Sequence, residues 1–234
     1  MSDSLTPKVD KRVNESLLAG HERKALQAMA RRLPPWVTPD GLTGFGVLGA
    51  VLVLCGGLLA NRSMGWLWLS NLGIVFHWLG DSLDGTLARL RRIERPRYGF
   101  YLDQVIDTVG NLLIALGEGF IPGVRMDLIL ILLAVYQMLA IQVLVRTVLD
   151  REFQVTVGGM GPTELRIGII LLNLIVLAFG APTVPGLPAG VHLEDLVVGL
   201  GILGLLGLFA WQLAVHLKKL AKEDPGQRPS DRHG

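Results

Sequence analysis

The sequence predicts an all-α integral membrane protein, a bundle of six transmembrane helices preceded by an amphipathic helix lying on the membrane surface. Three observations carry this. Half of the 234 residues are hydrophobic, only 18% are charged and the mean hydropathy is +0.47. Apolar runs of about 20 residues, the length that crosses a hydrocarbon core, recur along the chain. The charged residues gather in the short connections between those runs rather than spreading through them. The expected organisation is a polar segment with a juxtamembrane helix (1–40), a membrane domain (41–217) and a basic tail (218–234) expected to be disordered. That leaves no room for a sizeable soluble module. The single cysteine, Cys55, lies in an apolar run, which excludes a disulfide framework and a thiolate metal site. No strand pattern is evident.

Residues from about 13 to 33 read as a helix in which Leu17, Leu18, Ala25 and Met29 alternate with Arg23, Lys24, Arg31 and Arg32. It is too polar to span. A basic amphipathic helix on an anionic surface is expected, with a solvated helix packed on the protein as the alternative. No signal-peptide pattern precedes the first long apolar run, which begins near residue 42. Pro34 and Pro35 break the first helix, Trp36 suits the interface, and Pro39 begins span one (42–60), whose many glycines permit close helix contact. Span two runs from about 66 through Asp81 and Asp84 and carries His77, readable as a partner of a metal-binding carboxylate or as a packing residue. Span three (99–120) holds Asp103, Asp107 and Asn111 at four-residue steps. Those three share one stripe. A lipid-facing Asp costs on the order of 2.5–3.5 kcal/mol on the lenient scale, so the stripe is expected to face a cavity or the bundle interior. Spans four (127–149), five (163–180) and six (193–217) follow. Pro162 and Thr163 suit the start of span five.

Positive charge sets the expected topology. Of the 22 Lys and Arg residues, all but Arg62 and Arg125 fall on the side shared by both termini. That side is expected to be cytoplasmic. The acidic residues are expected at the same face, near the membrane boundary.

Asp81 and Asp84 are three residues apart and Asp103 and Asp107 four, so each of two helices presents a carboxylate pair on one face. Packed together, four carboxylates repel and lose hydration unless cations lie between them. Hard oxygen donors suit Mg²⁺ or Mn²⁺, and two such ions can stabilise the attacking and leaving oxygens of a phosphoryl displacement.

The same residues read D-x2-D-G-x2-A-R-x9-G-x3-D-x3-D, from Asp81 to Asp107, eight fixed positions over 27 residues. This pattern resembles the signature of the CDP-alcohol phosphotransferase family, integral membrane enzymes of phospholipid synthesis. The resemblance implies Asp81, Asp84 and Asp103 as metal ligands, with Asp107 both a further ligand and the general base. It also implies that Gly85 and Ala88 leave space for the CDP moiety, that Arg89 serves the diphosphate or the acidic cluster, and that the enzyme is a homodimer. Asp40 stands where the family often has the Asn of a Pro-Asn-x-Leu-Thr segment. Arg146 and Arg166, each near a helix end, could face a common cavity and bind an acceptor phosphate, or could snorkel to the interface. Glu164 would instead suit an amine-bearing head group.

The expected activity is transfer of a substituted phosphate from a CDP-linked donor, CDP-diacylglycerol by preference, to an alcohol, with release of CMP. A CDP-choline or CDP-ethanolamine:diacylglycerol phosphotransferase is the alternative within the family. Outside it stand a metal-dependent lipid phosphatase or pyrophosphatase and a non-enzymatic cation transporter. The partners expected are the bilayer and the two substrates, with no nucleic acid, in a bacterial inner membrane or, alternatively, a eukaryotic endomembrane.

Overall fold

A computed structural model describes residues 11–13, 19–150, 152–154, 161–180, 183 and 191–224. Seven helices account for nearly all of them. The first, α1, spans Ala19–Arg32, later than the expected start near residue 13. Lys11–Val13 (β1) instead pairs in parallel with Glu152–Gln154 (β2) just beyond α5, a ladder too short for its alternation to show in the sequence. The apolar face of α1 is spent on protein: Leu26 and Ala30 are buried against Leu42, Leu83 and Leu87. The helix predicted from amphipathic spacing is therefore docked on the bundle, its Arg31 and Arg32 still exposed.

Six long helices follow: α2 (Pro39–Ala60), α3 (Leu67–Arg91), α4 (Pro96–Gly119), α5 (Met126–Asp150), α6 (Pro162–Phe179) and α7 (Leu193–Glu223). Their starts obey local chemistry. Thr38 caps α2 by accepting the Gly41 N–H at 3.1 Å, and Pro39 occupies a position whose missing N–H costs nothing. Between α3 and α4 the chain turns at Arg92, whose φ of 58° lets Ile93 N–H return to the Ala88 carbonyl at 3.0 Å. Helix α7 continues through Lys218, Lys219 and Lys222 to Glu223, so the first residues expected in the tail are helical. The end of that tail and most of the Gly158–Gly161 loop lie outside the described residues.

Four helices, α2, α5, α6 and α7, are long and apolar enough to cross a membrane. Helices α3 and α4 are as long, at 25 and 24 residues, but carry the acidic residues. Trp36, Trp66 and Trp68 are exposed, as interface residues would be.

The bundle is organised by close helix crossings. A Cβ on Gly49 would stand 2.3 Å from the backbone nitrogen of His77, and one on Gly57 only 1.8 Å from the Gly117 carbonyl oxygen. Backbone therefore meets backbone between α2 and both α3 and α4, where lipid supplies no hydrophobic drive and contact area must hold the helices together. These crossings bring α3 and α4 side by side. Around them α5 packs on α4 and α7, and α6 on α3.

Candidate active site

Asp81 on α3 and Asp103 and Asp107 on α4 each present a carboxylate oxygen within 4.8 Å of the other two. The juxtaposition follows from the packing just described: the buried His77 ring lies flush against Gly110, one turn from Asp81 on α3 and less than one turn from Asp107 on α4. His77 Nδ1 is buried with no hydrogen-bond partner among the described residues. Arg166, from α6, donates to Asp81 Oδ2 at 2.7 Å, and both side chains are mostly shielded from solvent.

Asp84 is held differently. Thr43 Oγ1 on α2 donates to its Oδ2 at 2.6 Å and the Gly85 N–H to its Oδ1, leaving it outside the three-carboxylate group but on the same cleft wall. The donor set fits a divalent cation: three part-buried carboxylates within 4.8 Å are all hard oxygen ligands, and the Arg166 guanidinium offsets one of their charges.

The carboxylates open into a cleft of about 2750 Å³. Pockets for a drug-sized molecule run to roughly 300–1,000 Å³, so this space suits two substrates or one with long chains. Gly85, Ala88 and Arg89 line it beside the carboxylates, and Asn111 continues the stripe. The deeper wall is apolar, with Ile114, Leu132, Leu172, Val198 and Leu205. A Cβ on Gly85 would meet only the movable end of Arg89, at 3.2 Å. The protein's own packing therefore does not demand glycine there. Arg89 folds back over Gly85 and reaches Thr86 Oγ1 at 3.4 Å.

Arg146 and Arg166 are not brought together on that wall. Arg166 lines the cleft, whereas Arg146 does not. Its Nε is buried without a hydrogen-bond partner among the described residues, one turn before Asp150, which pairs with Lys219 of α7 at 3.0 Å. Glu164 also lines the cleft, and its Oε2 accepts the Gly161 N–H at 2.9 Å at the start of α6.

Three residues of this region escaped the sequence reading. Thr43 lies in the Pro39–Thr43 segment but was not assigned to Asp84. Glu118 lines the deep end of the cleft, where Ser70 Oγ and Asn173 Nδ2 donate to its Oε1 at 2.9 and 3.1 Å. Seven residues beyond Asn111, it continues the same helix face, a signal the periodicity contained. Glu22 of α1 lines the cleft as well. Nothing in its local sequence marks it.

The pattern of a known family, described as CDP-alcohol phosphatidyltransferase, matches residues 36–212, from three residues before α2 to about two thirds of the way along α7. The chain belongs to the CDP-alcohol phosphatidyltransferase family. The family assignment covers Asp81, Asp84, Asp103, Asp107 and Arg166, and it leaves α1 outside. A phosphatidylinositol phosphate synthase of Cutibacterium acnes (strain DSM 16379 / KPA171202) is similar to this chain, 36% identical over 81 residues. The matched stretch covers 35% of this chain and 37% of that relative, so it spans little more than a third of either protein.

Proposed function

We propose that this protein transfers the phosphatidyl group of CDP-diacylglycerol to a small phosphate-bearing alcohol, with CMP as the leaving group. The observation that carries the reading is the meeting of Asp81, Asp103 and Asp107 at a cleft whose deeper wall is apolar, with Arg166 beside them. A lipid chain suits the apolar wall and a charged diphosphate suits the acidic end once cations are present. The similar phosphatidylinositol phosphate synthase favours inositol phosphate among the acceptors, with glycerol phosphate next.

The acceptor hydroxyl oxygen attacks the phosphorus that bears the diacylglycerol. That P–O bond forms as the bond from the same phosphorus to the CMP oxygen breaks, and the hydroxyl proton passes to a carboxylate, Asp107 in this reading. Divalent ions held by Asp81, Asp84, Asp103 and Asp107, two of them in this reading, would neutralise the charge that grows on the leaving phosphate. Gly85 and Ala88 leave room for the cytidine moiety, and Arg89 lies within reach of the diphosphate. Arg166 holds Asp81 in place and offers its remaining N–H groups to the acceptor phosphate. Arg146, which does not line the cleft, would join it only after a change of side-chain conformation.

Helices α3 and α4 complete a six-span domain: at about 1.5 Å per residue each exceeds the roughly 30 Å hydrocarbon core, with its polar residues turned to the cleft. The termini and the acidic end of the cleft face the cytoplasm in this reading, as the charge bias requires. A homodimer follows from the family alone. The test is the lipid product formed from CDP-diacylglycerol and Mg²⁺ in detergent micelles, with inositol phosphate, glycerol phosphate, inositol and serine offered separately. One phosphorylated alcohol should appear in the product, and a product carrying only inositol or serine would refute the acceptor class.

A further inference from the structure

Glu22 touches neither the carboxylates nor Arg166, yet its contacts bracket them. Its Oε1 accepts from Trp78 Nε1 at 2.8 Å and from Thr163 Oγ1 at 2.9 Å, partners 56 and 141 residues away. Trp78 lies three residues before Asp81 on α3, and Thr163 three before Arg166 on α6. One carboxylate oxygen thus joins the same two helices, each about one turn from where Arg166 and Asp81 meet at 2.7 Å.

We propose that Glu22 is a positioning residue that fixes the first turn of α6 so that Arg166 is held at Asp81 and at the acceptor phosphate. This rests on the transferase reading above. The first turn of a helix has no intrahelical partners for its N–H groups, so side chains set its lateral position. In α6 these include Glu164, which accepts the Gly161 N–H, and Thr163, reaching across to Glu22. Helix α1 does not need Glu22 to stay docked, because Leu26 and Ala30 pack against Leu83 and Leu87. Losing the carboxylate therefore frees α6 while leaving α1 in place. A misplacement of about 1 Å at a binding group can cost on the order of a hundredfold in rate.

The experiment compares Glu22→Ala and Glu22→Gln with the wild type in the full-length protein. Amide hydrogen exchange should quicken at least threefold in residues 161–168 of Glu22→Ala and stay unchanged in residues 24–32. Glu22→Gln, whose amide oxygen still accepts, should match the wild type. In turnover with inositol phosphate or glycerol phosphate, Glu22→Ala should raise the acceptor KM about tenfold while the CDP-diacylglycerol KM moves less than twofold. Unchanged exchange at 161–168 would overturn the proposal, as would equal loosening of α1, a Gln variant as impaired as Ala, or an unmoved acceptor KM. If the wild type uses no alcohol at all, the transferase reading fails, and the exchange data still decide whether Glu22 holds α6.

Discussion

Arg166 and Asp81 are joined by a 2.7 Å hydrogen bond between α6 and α3, 85 residues apart in sequence. The bond ties the first carboxylate of the acidic motif to a basic group on the cleft wall. Removing the guanidinium leaves a shielded cluster of carboxylates with less compensation, a change that typically costs 3–5 kcal/mol for a buried pair. At the partial exposure of these side chains roughly half of that is expected. Arg166→Ala should therefore lower Tm by several degrees and reduce kcat/KM for the acceptor by at least a hundredfold. Arg166→Lys should recover most of the stability and little of the turnover, because a point charge cannot reproduce the fork. Thermal unfolding and initial rates, measured side by side, check both.

Divalent metal should stabilise the folded protein. At a hundred times its dissociation constant a ligand adds about 2.7 kcal/mol. Mg²⁺ or Mn²⁺ should raise Tm, EDTA should reverse the rise, and Asp81→Asn, Asp103→Asn and Asp107→Asn should each abolish it. A thermal shift retained in all three variants would place the metal elsewhere.

Glu118 ties three helices through Ser70 on α3 and Asn173 on α6, and Asn173 also donates to Asn71 Oδ1 at 3.1 Å. Glu118→Leu leaves these donors without their acceptor at about 1–3 kcal/mol each, the cost of a buried unsatisfied group. Glu118→Gln retains an oxygen for them and should lose far less. Tm in the same detergent separates the two variants.

Arg91 donates to the carbonyls of Leu33 and Pro34 at 3.1 and 2.9 Å and also reaches Val37, holding the turn between α1 and α2. Charge-assisted hydrogen bonds contribute about 1.5–3 kcal/mol at best and less where water can replace them. Arg91→Ala should make the 33–37 segment the first site of limited proteolysis, with Arg91→Lys intermediate. Equal protease resistance in all three proteins would contradict this role.

The six long helices were legible because each runs for 18 residues or more and α2, α4 and α6 begin at a proline, so that spans expected at 127–149 and 163–180 are observed as Met126–Asp150 and Pro162–Phe179. The Asp81, Asp103 and Asp107 grouping was legible because helical spacing fixes faces and the two helices adjoin in sequence. Pair contacts between distant elements were not. Periodicity places Arg146 and Arg166 near helix ends, but only packing decides that Arg166 turns to Asp81 and lines the cleft while Arg146 does not. Thr43 meeting Asp84 and Glu22 meeting Thr163 depend on crossings over 41 and 141 residues, which local pattern does not encode. The docking of α1 was equally hidden, since an amphipathic face reads the same whether lipid or protein covers it.

The most direct test of the transferase account is CMP release from CDP-diacylglycerol by the purified protein with Mg²⁺, with and without inositol phosphate, in wild type and Asp107→Asn. The account predicts release that requires the alcohol and falls at least a thousandfold in the variant, whose fold is verified by an unchanged unfolding temperature in the absence of metal. Release that proceeds equally well without any alcohol would contradict it and make the protein a hydrolase.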